Sequence, residues 1–184
     1  MTLALVAVEN AEHRAAAAEL IAEYLHWVGG IAQSQYGLTF DVDAMVQSDL
    51  EDRTKFYPPS GRFYLVQVGD AFVGVGCLKR LAPGVGEIQR MYVRPHARGH
   101  VGGRTLLQRL LADARYLGYD SVRLESLRAL EAAHHLYRSA GFVEIEPYAA
   151  NSMDAYQDVS MLATYRRSAV FMEVRLDVQT TRPD

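Results

Sequence analysis

The sequence predicts a mixed α/β fold, in which antiparallel strands lead into a splayed parallel pair in the middle of the sheet and helices flank both sides. Three observations predict it. Two β-rich runs, 63–68 and 71–81, are separated by Gly69 and Asp70 alone, a pair that favours a tight hairpin turn, and Pro83, Gly84 and Gly86 turn the chain into a third run at 87–93. That run leads through a glycine turn into a segment whose Leu106, Leu107, Leu110, Leu111, Ala114 and Leu117 recur on one helix face. A short strand at 121–125 follows with a whole helix in between, so it can lie parallel to 87–93.

Taken in order, Leu3 to Val8 suits a first strand, and Asn10 can cap a helix striped by Leu20, Ile21, Tyr24, Leu25 and Val28, which Gly29 and Gly30 are expected to stop. A second, shorter helix over 40–50 begins at Asp41 or Asp43, and Pro58, Pro59, Ser60 and Gly61 make a stiff loop before the hairpin. Pro95 prevents regular pairing from running far past Val93, and Gly118 stands where a left-handed cap would end the long helix. A further helix carries Ala129, Ala132, Ala133, Leu136, Tyr137 and Ala140 and ends at Gly141; 142–145 and 169–176 supply late strands. The stretch 147–168, with Tyr148, Asn151, Tyr156 and Tyr165, is long for a hairpin connection, so it either holds local helix or covers something. A single domain is expected over residues 1–178, with a frayed tail over 179–184.

The chain has 184 residues, 49% of them hydrophobic, and a formal charge of −3 with no block of like charges. That balance points away from nucleic acid and acidic membranes and toward a small partner. Arg90, Arg94, Arg98 and Arg104 cluster in sequence about the glycine turn, a local basic patch that a phosphate-rich ligand would suit. One cysteine, Cys77, sits among small and β-branched residues, which reads as a buried small hydrophobe; no disulfide can form within the chain, and a cytoplasmic location is expected. No signal peptide or membrane span is visible. His134 and His135 are adjacent and diverge by about 100° on a helix, so no metal site is indicated. Oligomeric state is not legible, and a homodimer is left open.

A strand, a glycine turn and a helix N-terminus together make a place for an anion, because free backbone N–H groups and the helix dipole point the same way. Neither a dinucleotide fingerprint nor a P-loop is present. The run Arg98, Gly99, His100, Val101, Gly102, Gly103 resembles the cofactor-binding motif of the GNAT acetyltransferase superfamily, Gln/Arg-x-x-Gly-x-Gly/Ala, with Val101 where the family has glycine. Leu136 to Phe142 resembles a second family feature, a helical tyrosine shortly before Gly-Phe, although Leu130 stands where the family often has asparagine. The order of elements is that of the same family, so the resemblance spans nearly the whole chain.

The resemblance implies transfer of an acetyl group from acetyl coenzyme A to a primary amine of a small metabolite or peptide by direct attack in a ternary complex. It implies that Arg98, Gly99, His100, Val101, Gly102, Gly103 and Arg104 hold the pyrophosphate, and that the strand at Met91, Tyr92 and Val93 offers backbone groups to the pantetheine arm. Freeing an amine from an ammonium of pKa about 10.4 costs roughly 4.6 kcal/mol at pH 7, so a base is wanted, and the departing thiolate needs an acid. Tyr137 is the candidate acid; its alternative is plain core packing on the apolar helix stripe. Glu87, taken to share a strand face with Gln89, Met91 and Val93, is the first candidate base, and Glu125 the second. Val101 and Leu130 keep a second reading open, a module of the same fold that binds an acyl coenzyme A and has a regulatory role.

Overall fold

In the computed structural model, residues 2–52, 54–98, 102–148 and 159–176 are described. They form a seven-stranded sheet with helices on both faces. The strands are β1 Leu3–Ala7, β2 Arg62–Val68, β3 Ala71–Ala82, β4 Val85–Val93, β5 Ser121–Leu127, β6 Val143–Ile145 and β7 Ala169–Arg175, in spatial order β1-β2-β3-β4-β5-β7-β6. Only β4 and β5 are parallel; every other neighbour pair is antiparallel. The helices are α1 Ala11–Tyr36, α2 Val42–Glu51, α3 Gly102–Tyr116, α4 Glu131–Ser139 and α5 Val159–Ser168.

Helix α1 packs over β3 and β4 with α2 and α5 beside it, and its Leu20, Ile21, Leu25, Val28 and Ala32 are buried in that layer. Helix α3 covers the opposite face through Leu106, Leu107, Leu110 and Leu111, joined there by Tyr137 of α4. Gly76 of β3 lets α3 come close, since a Cβ there would lie 2.7 Å from Leu106.

The Gly69–Asp70 hairpin forms as expected, with Val68 opposite Ala71 and Gly69 at φ +60°. Helix α1 does not stop at Gly29–Gly30. Its apolar stripe continues to Ala32, and burying that extra turn outweighs the roughly 1 kcal/mol that each interior glycine costs. The stop is Gly37, at φ +69°, where Gly37 N–H donates to Gln33 O and Leu38 N–H to Ala32 O. The stretch 147–168 does hold local helix, α5, while residues 149–158, with Asn151 and Tyr156, lie outside the described residues, as does the tail 179–184.

Candidate active site

The site is made by a strand that stops pairing. β4 and β5 are in register only at Val85–Ser121, Gly86–Val122 and Glu87–Arg123, and beyond that they part. The cause lies one strand away. Between Gln89–Cys77 and Tyr92–Val75, β4 carries one residue more than β3, and Arg90 takes the left-handed conformation at φ +55°. Such a bulge bends and twists its strand, turning the later half of β4 away from β5. The gap is a cleft of about 770 Å³.

The bulge also corrects the alternation expected for β4. Glu87, opposite Lys79, and Gln89, opposite Cys77, face the α1 layer, and the extra residue puts Tyr92 rather than Met91 on that same side. Met91 packs against the α3 core, and Val93 is the neighbour that a Cβ on Gly103 would meet. Glu87 therefore does not share a face with Met91 and Val93, because alternation of period two survives only where no residue is inserted.

The cleft wall includes Met91, Tyr92, Val93, Arg98, Gly103 and Arg104, six of the ten residues expected to hold a cofactor. Gly102 begins α3 but is buried against β1 and β2; a Cβ there would sit 3.3 Å from Val66. At Gly103 a Cβ would meet only Leu136 at 3.6 Å and Val93 at 4.0 Å, so this side of the helix end is open toward the cleft. Gly99, His100 and Val101 lie outside the described residues. Arg98 donates from Nε to Val93 O and rests over the rings of Trp27 and Tyr92 at 4.9 and 5.8 Å, which fixes a cation at the cleft wall.

The basic patch expected around the glycine turn is kept only in part by the fold. Arg90 turns into the α1–α2 layer to meet Asp49, and Arg94 pairs with Glu19 and Glu23 of α1. Charges four or six residues apart leave a bulged strand and its turn in different directions. Arg98 and Arg104 line the cleft, as does Arg90 from beside Asp49.

Tyr137 and Glu125 also line the cleft, together with Tyr24, Ser126 and Leu130. Tyr137 is 7% exposed, with its ring against Phe142, and burial first, then Tyr24, pushes its phenol well above the usual range, so it holds its proton at neutral pH. Glu125 takes a hydrogen bond from Tyr165 of α5, whose phenol is pushed far up by burial and by that carboxylate. Glu87 is elsewhere. It is fully buried, accepts from Tyr148 at 2.8 Å and from Gln89 at 2.6 Å, pairs with Lys79 at 3.2 Å, and is not part of the cleft wall. Tyr24 is not marked for the site by sequence, since it lies on a helix stripe like any core residue; Arg90 reads there only as part of a phosphate-binding patch, and Tyr165 only as part of the long 147–168 stretch. Cys77 is fully buried, and burial raises its thiol. Among the described residues no group of three or more His, Cys, Asp or Glu could hold a metal, and no helix is long and apolar enough to cross a membrane.

A seven-stranded mixed sheet that splays beside a glycine-led helix defines a class, and comparison with known proteins assigns it. Residues 31–142 match the Acetyltransferase (GNAT) family. The chain is 33% identical over 135 residues to an uncharacterized N-acetyltransferase of Schizosaccharomyces pombe, covering 72% of this chain and 77% of that protein. Its fold is that of a GNAT-family acetyltransferase from Staphylococcus aureus, with a TM-score of 0.69, 19% identity and coverage of 96% of this chain and 100% of that one. The PaiA N-acetyltransferase of Thermoplasma acidophilum, solved in complex with coenzyme A, has a TM-score of 0.67 at 15% identity, covering 96% and 100%. This chain belongs to the GNAT acetyltransferase family.

Proposed function

We propose that the protein transfers the acetyl group of acetyl coenzyme A to a primary amine by direct attack in a ternary complex. The observation that carries this reading is the parting of β4 from β5, which leaves one edge of β4 without a strand partner and brings Tyr137 and Glu125 to the same cleft. The residues present fit the cofactor. An amide-bearing arm can extend the ladder along the edge at Met91 to Val93, the open start of α3 at Gly103 admits a phosphate, and Arg98 and Arg104 supply positive charge.

When bound, acetyl coenzyme A supplies a thioester as the acyl donor. Glu125 takes the proton that the acceptor ammonium must lose, and Tyr137 gives one to the sulfur as the carbon–sulfur bond breaks. Burial makes Tyr137 a weaker acid, but a thiolate leaving into the same buried space is also a stronger base, so the match is preserved. Glu125 is preferred to Glu87 as the base, because Glu87 already accepts from three partners and does not line the cleft.

The test has two readouts on one sample. Acetyl coenzyme A at 100 times its dissociation constant should stabilise the protein by about 2.7 kcal/mol, and Gly103→Trp, which fills the open start of α3, should abolish the shift. A coenzyme A release assay over amines, amino acids and peptides should then find acceptors. An undiminished shift in Gly103→Trp overturns the placement of the cofactor. The alternative, a regulatory module that binds an acyl coenzyme A, draws on Leu130, an apolar residue at the N-cap of α4 with no side-chain hydrogen bond; it predicts the thermal shift without release from any amine.

A further inference from the structure

Adjoining the cleft is a second cavity of about 60 Å³. It shares Tyr24, Gln89, Arg90, Glu125 and Ser126 with the main cleft, and apart from Tyr165, which donates to Glu125, the rest of its wall is apolar. Two of the shared side chains are incompletely paired.

The first is Arg90, 7% exposed. Asp49 of α2, fully buried, accepts from Arg90 Nε at 2.5 Å through Oδ2, but its Oδ1 is taken by Lys55. A carboxylate given wholly to an arginine can span Nε and Nη2 as a fork; this one is divided between two cations. Arg90 Nη2 is left buried without a hydrogen-bond partner, an arrangement that is costly for a charged donor. The second is Gln89, 6% exposed. Its Nε2 donates to Glu87 Oε2, and because an ionised carboxylate only accepts, that bond fixes which way the amide faces. Gln89 Oε1 is then a buried acceptor without a partner. The same walls therefore hold a cationic donor in want of an acceptor, an amide oxygen in want of a donor, and the carboxylate of Glu125. A plain amine answers only the last two.

We propose that the acceptor is a small primary amine that also carries a carboxylate, a free α-amino acid being the simplest. Arg90 is the specificity-determining residue that receives the carboxylate, and Gln89 and Glu125 face the amine. This inference rests on the acetyl-transfer reading, which it deepens.

The test takes the wild-type protein loaded with coenzyme A and three matched ligands: an α-amino acid, its carboxamide and the decarboxylated amine. Titration calorimetry reads binding, and coenzyme A release from acetyl coenzyme A reads turnover. The amino acid is expected to bind, and to show a kcat/KM, on the order of 10- to 100-fold better than either partner, the difference made by a charge-assisted hydrogen bond. A carboxamide or amine that binds as well as the amino acid overturns the proposal, as does a C-terminally amidated peptide that outcompetes it. Arg90→Lys keeps the charge and removes the fork; it should raise the KM for the amino acid and erase its advantage while coenzyme A affinity holds. An advantage retained in that variant overturns the role of Arg90. Should the variant not fold, the wild-type comparison decides alone. Selective binding of the amino acid with no coenzyme A released from any amine supports the carboxylate site and overturns acetyl transfer; release from all three ligands alike does the reverse.

Discussion

The closed and open halves of the β4–β5 pair hold the same residue types in different situations. Where the strands are in register, Glu87 is enclosed by Tyr148, Gln89 and Lys79, and its oxygens are occupied. Where they have parted, Glu125 lines the cleft beside Tyr137, with Arg90 and Gln89 presenting buried atoms that have no partner. A polar group costs free energy to bury unless it is satisfied, so the closed half spends its hydrogen bonds on the fold. The open half is where ligand atoms can complete the set. On the acetyl-transfer proposal, strand pairing rather than residue type divides the structural carboxylate from the chemical one.

The largest effect expected from this division is on Tyr137 in the open half. Tyr137→Phe keeps the ring against Phe142 and removes only the hydroxyl, so the fold and acetyl coenzyme A affinity should persist. Turnover should fall on the order of 10²-fold or more if the hydroxyl delivers the proton to the sulfur. Turnover within about threefold of wild type would reduce Tyr137 to a core residue and break the comparison at its strongest point.

Next in size is the closed half. Glu87→Gln places an amide NH₂ among Tyr148, Gln89 and Lys79, all of which donate, and should cost about 1–3 kcal/mol of stability. Turnover per folded molecule should stay within a few-fold of wild type. Glu125→Gln should do the opposite, lowering turnover at little cost in melting temperature. Should Glu87→Gln abolish turnover in a protein that melts normally, the two carboxylates would have to exchange roles.

Much of this was legible in the sequence. The hairpin at Gly69–Asp70, the strand and the long helix that begins at Gly102, and the cap at Gly118 (φ +76°) follow from local chemistry, and local chemistry is what a sequence displays. Tyr137 could be proposed because its neighbours repeat a known pattern, and Glu125 because it stands at the tip of the parallel strand. The bulge at Arg90 could not, since nothing in Gln89–Arg90–Met91 marks an inserted residue; it exists because β3 on one side and Asp49 on the other hold it. Once the bulge was missed, the face of Met91 and Val93, the direction of Arg90 and the enclosure of Glu87 were missed with it. The Gly29–Gly30 stop failed for a related reason: propensity is local, whereas the burial that carries α1 on to Gly37 is tertiary.

The smallest effect sharpens the comparison from outside the cleft. His134 of α4 is 3% exposed, and its Nε2 is buried without a hydrogen-bond partner, as Arg90 Nη2 is, yet it does not line the cleft. An unpaired buried atom there should matter to stability alone. Burial first, and Arg138 second, lower its pKa from the ordinary value near 6.5, so the folded protein resists a proton that the unfolded chain accepts. Above about pH 6.5 both states are neutral and the group contributes nothing to pH dependence. As pH falls from there through the folded-state value, the unfolded chain binds more protons and stability is lost. Melting temperature between pH 7.5 and 5.5 should therefore fall more steeply in the wild type than in His134→Gln, by on the order of a few degrees or less for a chain of this size. Turnover at pH 7.5 should be the same in both. Parallel melting curves would place the proton uptake elsewhere. A loss of turnover in a stable His134→Gln protein would show that unsatisfied atoms serve the chemistry beyond the cleft wall, and the line drawn between the two halves of the sheet would have to move.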